Sequence, residues 1–179
     1  CSLIKGLLSL GHRIMLLAPE GSVLPSDCSD AEIRHVSGIA QPSWQHQEAN
    51  APVIIPPDGV LPGLWEQALE IGRSSDAVLN FSYDWLPIWL TPRVPSRLFH
   101  FISMGGVSLV MKSLICDLAK SDQNRFAFHT YRQAADSDLP EEHTVVGNDF
   151  NLDLYALQVK RGGTLDWVVR APPEEDLAD

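Results

Sequence analysis

The alternation of short apolar runs with helical segments most constrains what this chain can fold into. Residues 13–18 and 76–81 are short and mostly apolar, which is typical of parallel strands buried on both faces. Residues 61–71 carry apolar side chains at helical spacing. Strands and helices alternate with short turns and without internal repeats, so the sequence predicts an α/β fold with a doubly wound, mostly parallel, Rossmann-like sheet.

The other elements follow from the same patterns. Further strands are predicted at residues 33–36, 53–55, 97–102, 125–129, 143–146 and 165–169. Further helices are predicted at residues 3–10, 107–118 and 131–135, with a helix or turn at 83–90.

The first predicted helix leads directly into the strand at residues 13–18. A helix that enters a parallel strand normally follows an earlier strand, which completes a right-handed crossover. The sheet is therefore expected to lack its usual first strand in this sequence. Either that strand was lost in evolution or it is missing from the sequence given.

The charge balance argues against a nucleic-acid partner. The chain has 13 Lys and Arg against 23 Asp and Glu, a formal net charge of −10. Binding to phosphate backbones requires a positive surface that releases counterions. Part of the excess acid lies in residues 172–179, which carry four carboxylates and no base.

Cysteine usage and hydropathy indicate a cytoplasmic protein. Cys1, Cys28 and Cys116 are far apart and form no CxxC motif, so neither a disulfide framework nor a zinc site is expected. No apolar run approaches the roughly 20 residues that a membrane span needs. The first residues also lack a signal-peptide pattern.

Candidate site residues come from the ends of the predicted strands, because ligands of open parallel sheets bind beyond the carboxyl ends of the strands. Four successive strand ends carry a His, an Asn or a glycine-containing turn. The residues selected in this way are Asp84, His100, Ser103, Gly105, Gly106, His129 and Asn148.

Each candidate also has a structural interpretation. The amide groups of the Gly105-Gly106 turn suit an anion or a hydroxyl-rich ligand, or the turn is simply tight. His100 and His129 are either satisfied core residues or acid–base groups. Asp84 orients a hydroxyl, acts as a base, or caps the following helix.

An aromatic group has the same two interpretations. It either packs in the core or stacks on a flat ligand. Its members are Tyr83, Trp85, Trp89, Phe99 and Phe101.

Several segments together resemble a known family. They are residues 11–22 (GHRIMLLAPEGS), 76–92 (DAVLNFSYDWLPIWLTP), 100–108 (HFISMGGVS), 145–155 (VVGNDFNLDLY) and 165–179 (LDWVVRAPPEEDLAD). In these segments the chain resembles retaining GT-B glycosyltransferases of family four, closest to the cyanobacterial UDP-glucose:tetrahydrobiopterin glucosyltransferase type. The segments at 76–92 and 100–108 are the distinctive ones.

The resemblance implies an enzyme of two Rossmann-like domains, which bind a small-molecule acceptor and a nucleotide-sugar donor respectively. Residues 1–155 would form the acceptor domain, 156–163 a linker, and 164–179 the start of the donor domain. A hexosyl group would be transferred with retention of configuration, without a metal or a cofactor.

The resemblance also implies roles for the candidate residues. Asp84 and His100 would be catalytic, and Arg170 would steady the donor phosphates. The substrate-binding residues would be Ser103, Gly105, Gly106, His129 and Asn148.

The donor-binding turn departs from the family pattern Gly-Arg-x-x-x-Glu-Lys-Gly. Arg170 and Glu174 match it, but Val169 and Asp176 replace the glycines and Glu175 replaces the lysine. A carboxylate in place of a cation beside phosphate reverses the sign of a strong interaction. The chain alone is therefore expected to be inactive with UDP-sugars. The alternative is a degenerate, non-catalytic binding or assembly module, with a protein partner or a homo-oligomer.

Overall fold

The structure is a computed structural model that describes residues 2–94, 97–137, 139 and 143–147. Asn148, Arg170, the predicted linker at 156–163 and the predicted donor-domain start at 164–179 lie outside the described residues. The strand predicted at 165–169 lies there as well.

The described elements alternate as the sequence predicts. The helices are α1 (Ser2–Ser9), α2 (Val60–Gly72), α3 (Trp85–Leu90), α4 (Leu109–Ser121) and α5 (Tyr131–Ala135). The strands are β1 (Met15–Pro19), β2 (Glu32–Val36), β3 (Val78–Asn80), β4 (Leu98–Ile102), β5 (Phe126–Phe128) and β6 (Thr144–Val145). None of the helices in this described part of the chain has the length and apolarity that crossing a bilayer requires.

The predicted α/β fold with parallel strands is confirmed, and the architecture is consistent with a Rossmann-like fold. The described strands form two parallel sheets, one of β1 and β2 and one with the order β3-β4-β5-β6. Neighbouring strands of the larger sheet follow one another along the chain, with α3, α4 and α5 in the connections.

The strand predicted at residues 53–55 is wrong. These residues form no strand; Val53 packs against the hydrophobic core, while Ile54 is 69% exposed. Pro52 precedes the segment and Pro56-Pro57 follows it, and proline has no amide N–H to give to a sheet. Residues 53–55 therefore form a loop, and Val53 is the residue of this loop that packs against the core.

The larger core cluster lies between α4 and one face of the four-stranded sheet. Met111 and Ile115 of α4 are fully buried, and they belong to one cluster with Ile102 of β4 and Phe126 and Phe128 of β5. Alternation along β4 buries Leu98, His100 and Ile102 completely or nearly so. Burial of this apolar face is the main stabilising contribution to the fold.

A second cluster places α2 against both sheets. Leu61 and Trp65 of α2 pack with Leu98 of β4. On the other sheet, a Cβ on Gly63 would lie 2.9 Å from Cγ1 of Val36 in β2. Glycine at this position therefore allows α2 to approach β2 closely.

Two residues of α4 test this description of the core. We expect Ile115→Ala to lower the free energy of unfolding by about 2–5 kcal/mol, because it leaves a cavity in a fully buried site. The matched control is Leu109→Ala in the same helix, where the side chain is 57% exposed and the expected change is within about 0.5 kcal/mol. Urea denaturation followed by circular dichroism measures both, and equal losses would contradict this placement of α4.

Candidate functional site

The carboxyl ends of β3 and β4 bring two of the predicted segments together. Both strands belong to one parallel sheet, so residues 81–84 after β3 and residues 103–106 after β4 emerge at the same edge. The Tyr83 hydroxyl donates to the Gly105 carbonyl at 3.4 Å, which links the two segments directly.

A pocket of about 250 Å³ opens at this edge. It lies where the loop of residues 41–44 meets residues 82–84 and Met104. Its lining residues are Gln41, Pro42, Ser43, Trp44, Ser82, Tyr83, Asp84 and Met104. No Lys, Arg or His belongs to this lining, so the side chains around the pocket offer no positive charge to an anion.

Asp84 is the carboxyl group of this pocket. Its Oδ2 accepts a hydrogen bond of 2.6 Å from the Ser82 hydroxyl. Burial raises the pKa of Asp84, and the Ser82 hydroxyl and the Trp44 indole partly offset that rise. Asp84 stands at the N-cap position of α3, but its side chain makes no capping hydrogen bond. Of the interpretations that the sequence offers for Asp84, orienting a hydroxyl or acting as a base fits this geometry better than capping α3.

Two further polar groups of the pocket come from the loop of residues 41–44. Gln41 donates through Nε2 to the Ile54 carbonyl at 3.0 Å, while its buried Oε1 has no hydrogen-bond partner. The Trp44 indole N–H is also buried, and it has no hydrogen-bond partner. It is nevertheless close enough to Asp84 to lower the pKa of that carboxyl.

Sequence reasoning missed Gln41 and Trp44. They belong to an aperiodic stretch rich in Pro, Ser and Gln, which predicted neither a strand nor a helix end. The one available signal was a tryptophan inside a polar loop, since a large aromatic side chain there must find a partner surface.

His100 is fully buried within β4 and does not line the pocket. Its Nδ1 accepts a hydrogen bond from Asn80 Nδ2 at 3.0 Å, so the ring proton is assigned to Nε2. Nε2 then donates to Thr91 Oγ1 at 2.7 Å, and Thr91 donates to the Pro87 carbonyl at 2.8 Å. Burial lowers the pKa of His100 to about 4, and the positive charge of Arg125 makes a smaller contribution in the same direction. This geometry matches the interpretation of His100 as a satisfied core residue.

His100 nevertheless connects to the pocket through Asn80. The Asn80 amide donates to the Ser82 carbonyl at 2.9 Å, and its Oδ1 accepts from the Ser82 amide at 3.1 Å. Ser82 in turn holds the Asp84 carboxyl. A continuous series of hydrogen bonds therefore runs from the core histidine through Asn80 and Ser82 to the pocket carboxyl.

The predicted glycine turn is occupied by a carboxylate. A Cβ on Gly105 would lie 2.7 Å from Asp136 Oδ2, and one on Gly106 would lie 3.3 Å from the Asp136 carbonyl oxygen. The glycines therefore make room for Asp136. A negative charge at this place disfavours an anion cradle at the turn.

The remaining candidates stand apart from the pocket. Ser103 is exposed, and its carbonyl accepts a bond of 2.6 Å from Gln133 Nε2. His129 is half-buried after β5 and is not among the lining residues. No group of three or more His, Cys, Asp or Glu side chains suited to a metal occurs in the described ranges.

The predicted aromatic group divides into separate contacts. Tyr83 lines the pocket, whereas Trp85 and Trp89 stack on each other with ring centroids 5.2 Å apart. Phe101 stacks on Phe81 at 4.8 Å on the half-exposed face of the sheet. The pocket thus has an aromatic wall made of Tyr83 and Trp44.

The fold and the site define an α/β protein with parallel sheets and a small acidic, aromatic pocket at the carboxyl ends of two strands. Comparison with known proteins found no family model and no curated protein that matches the chain. The function of the chain is therefore inferred from the pocket and from the sequence resemblance.

The buried histidine gives a pH dependence with a definite sign. Unfolded His100 binds a proton below about pH 6.5, whereas the folded group stays neutral until its pKa of about 4. Stability is therefore lost as the pH falls from about 6.5 to 4, by at most about 1.4 kcal/mol per pH unit from this residue.

His100→Gln removes the titration and keeps a neutral hydrogen-bonding side chain. We expect the free energy of unfolding of this variant to depend less steeply on pH than that of the natural protein between pH 6.5 and 4. Urea denaturation at a series of pH values measures the free energy of unfolding of both proteins. The titrations of the other groups are the same in both, so they cancel in the difference. Parallel curves would contradict a neutral buried His100.

Proposed function

We propose that this chain is the acceptor-binding domain of a retaining glycosyltransferase, an enzyme that transfers a sugar from a nucleotide-sugar to a small molecule. The observation that carries the proposal is the pocket of Asp84, Tyr83 and Trp44 at the carboxyl ends of β3 and β4. Its position is the one that ligands take in open parallel sheets. The resemblance of residues 76–92 and 100–108 to that enzyme family gives the pocket its role.

The charge of the pocket favours the acceptor over the nucleotide-sugar. A diphosphate is bound by Lys, Arg, metal ions or free amide groups. The pocket has no cationic side chain in its lining, and Asp136 lies against the nearby glycine turn. Donor phosphates would therefore be held elsewhere, with Arg170 as the residue that the resemblance offers.

Asp84 is the group of this pocket that is suited to act on an acceptor hydroxyl. Its carboxyl is held by Ser82, and burial raises its pKa above the ordinary value, which makes it a stronger base. His100 supports it as a positioning residue through Asn80 and Ser82. Stabilisation of the leaving diphosphate would come from the donor side.

A second candidate function is a non-catalytic binding or assembly module. Two observations favour it. Leu79 of β3 is 37% exposed and Phe81, which follows that strand, is 52% exposed, and exposed apolar patches mark partner surfaces. Glu175 also replaces the lysine that the related enzymes place beside the donor diphosphate.

A sugar-transfer assay on the natural polypeptide that carries this sequence distinguishes the two functions. We expect the polypeptide to transfer label from radiolabelled UDP-sugar to a small molecule in a deproteinised extract of its source. Asp84→Asn should reduce this transfer about 100-fold or more if Asp84 takes the proton, with donor binding unchanged. The matched control is Asp76→Asn, which changes the same side chain at an exposed position before β3.

The outcomes separate the two proposals. Transfer that is lost in Asp84→Asn and kept in Asp76→Asn supports the enzyme with this pocket as its acceptor site. If the natural polypeptide neither binds nor transfers any nucleotide-sugar, the enzyme proposal is contradicted and the binding module is favoured.

A further inference from the structure

The pocket contains polar groups that the protein leaves unsatisfied. Three of its donors are already used inside the protein: Gln41 Nε2 to Ile54, the Ser82 hydroxyl to Asp84, and the Tyr83 hydroxyl to Gly105. A fourth donor, the buried Trp44 indole N–H, has no hydrogen-bond partner, although it is close enough to Asp84 to lower the pKa of that carboxyl. Gln41 Oε1 is buried without a partner, and Asp84 makes no ion pair with any residue of the described ranges.

A partly buried carboxylate without a cation is costly, because the Ser82 hydroxyl and the Trp44 indole offset only part of the desolvation of its charge. A ligand that brings a positive charge would offset the rest. Trp44 and Tyr83 line the same pocket, and aromatic rings attract ammonium groups through their π-faces. Met104 adds a polarisable thioether to the lining. The carboxylate, the aromatic residues and the unused amide oxygen therefore select for the same kind of ligand group.

We propose that the pocket of Asp84, Trp44 and Gln41 binds the ammonium group of a small amine-bearing molecule. Calling that molecule the sugar acceptor rests on the proposed function, but its binding does not. The net charge of −10 also favours the approach of cationic molecules over anionic ones. A volume of about 250 Å³ suits a small molecule.

Three probes of nearly the same shape isolate the charge. Protonated 3,3-dimethylbutan-1-amine is cationic and has N–H donors, 3,3-dimethylbutan-1-ol is its neutral isostere, and 3,3-dimethylbutanoate is the corresponding anion. Isothermal titration calorimetry on the folded chain at neutral pH measures the binding of each. We expect the amine to bind about 10-fold or more tightly than the neutral alcohol, which is what about 1.4 kcal/mol of cation–π and carboxylate attraction gives. The anion should bind more weakly than either.

Variants locate this preference at the pocket. Asp84→Asn should bring the affinities for the amine and the alcohol to within about 2–3-fold of each other, whereas the control Asp76→Asn should keep the 10-fold preference. Trp44→Leu should weaken binding of the amine more than that of the alcohol, because it removes an aromatic ring but keeps an apolar surface. Circular dichroism establishes that each variant is folded before its affinity is measured.

The failures are distinguishable. Equal affinity of the natural protein for the amine and the alcohol, no binding of any probe, or a preference that survives Asp84→Asn would each overturn the ammonium site and leave the glycosyltransferase proposal standing. A preference for the amine that is lost in Asp84→Asn supports the ammonium site, even in a protein that transfers no sugar.

Discussion

The hydrogen bonds of His100 join the elements on which the site depends. Asn80 ends β3, His100 lies in β4, and Thr91 follows α3, and the imidazole bonds to both of the others in the core. All three side chains are at least nine-tenths buried, so an unmade hydrogen bond there would cost about 1–3 kcal/mol. This requirement fixes the ring tautomer, the register of β3 against β4, and the start of the segment that carries Asp84.

The same hydrogen bonds connect a core residue to a surface pocket. The Asn80 side chain uses both of its amide hydrogens, one on His100 and one on the Ser82 carbonyl. Ser82 is thereby held where its hydroxyl reaches Asp84. An acidic group whose neighbours are fixed in this way is preorganised for a ligand, which reduces the entropy that binding must otherwise overcome.

Much of the fold was predictable from the sequence because burial in parallel sheets leaves a strong apolar pattern. Residues 131–135 and 61–71 were predicted as helices and are observed as α5 and α2, with small shifts at the ends. The run at 53–55 carries a strand-like pattern, but the surrounding prolines remove the donors that pairing needs. Apolar periodicity indicates which residues are buried, but it does not indicate whether the backbone N–H and C=O groups find hydrogen-bond partners.

The site was predictable only in part. The strand-end rule identifies Asp84 correctly as a residue of the carboxyl edge, but Gln41 and Trp44 come from a loop that is placed by tertiary contacts. A nearby tertiary contact is the bond of 2.8 Å from the Leu109 amide to the Ala49 carbonyl, which ties the segment that follows this loop to the first turn of α4. Long-range bonds of this kind leave no local pattern in the sequence.

The close approach of α2 to β2 at Gly63 has a consequence for cooperativity. A two-stranded sheet such as β1–β2 is marginal in water by itself. Because α2 packs against that sheet and also against Leu98 of the larger one, it couples the two in a single folding unit. Local opening of α2 would release β1 and β2 together, so the amino-terminal part of the molecule depends on one helix for its persistence.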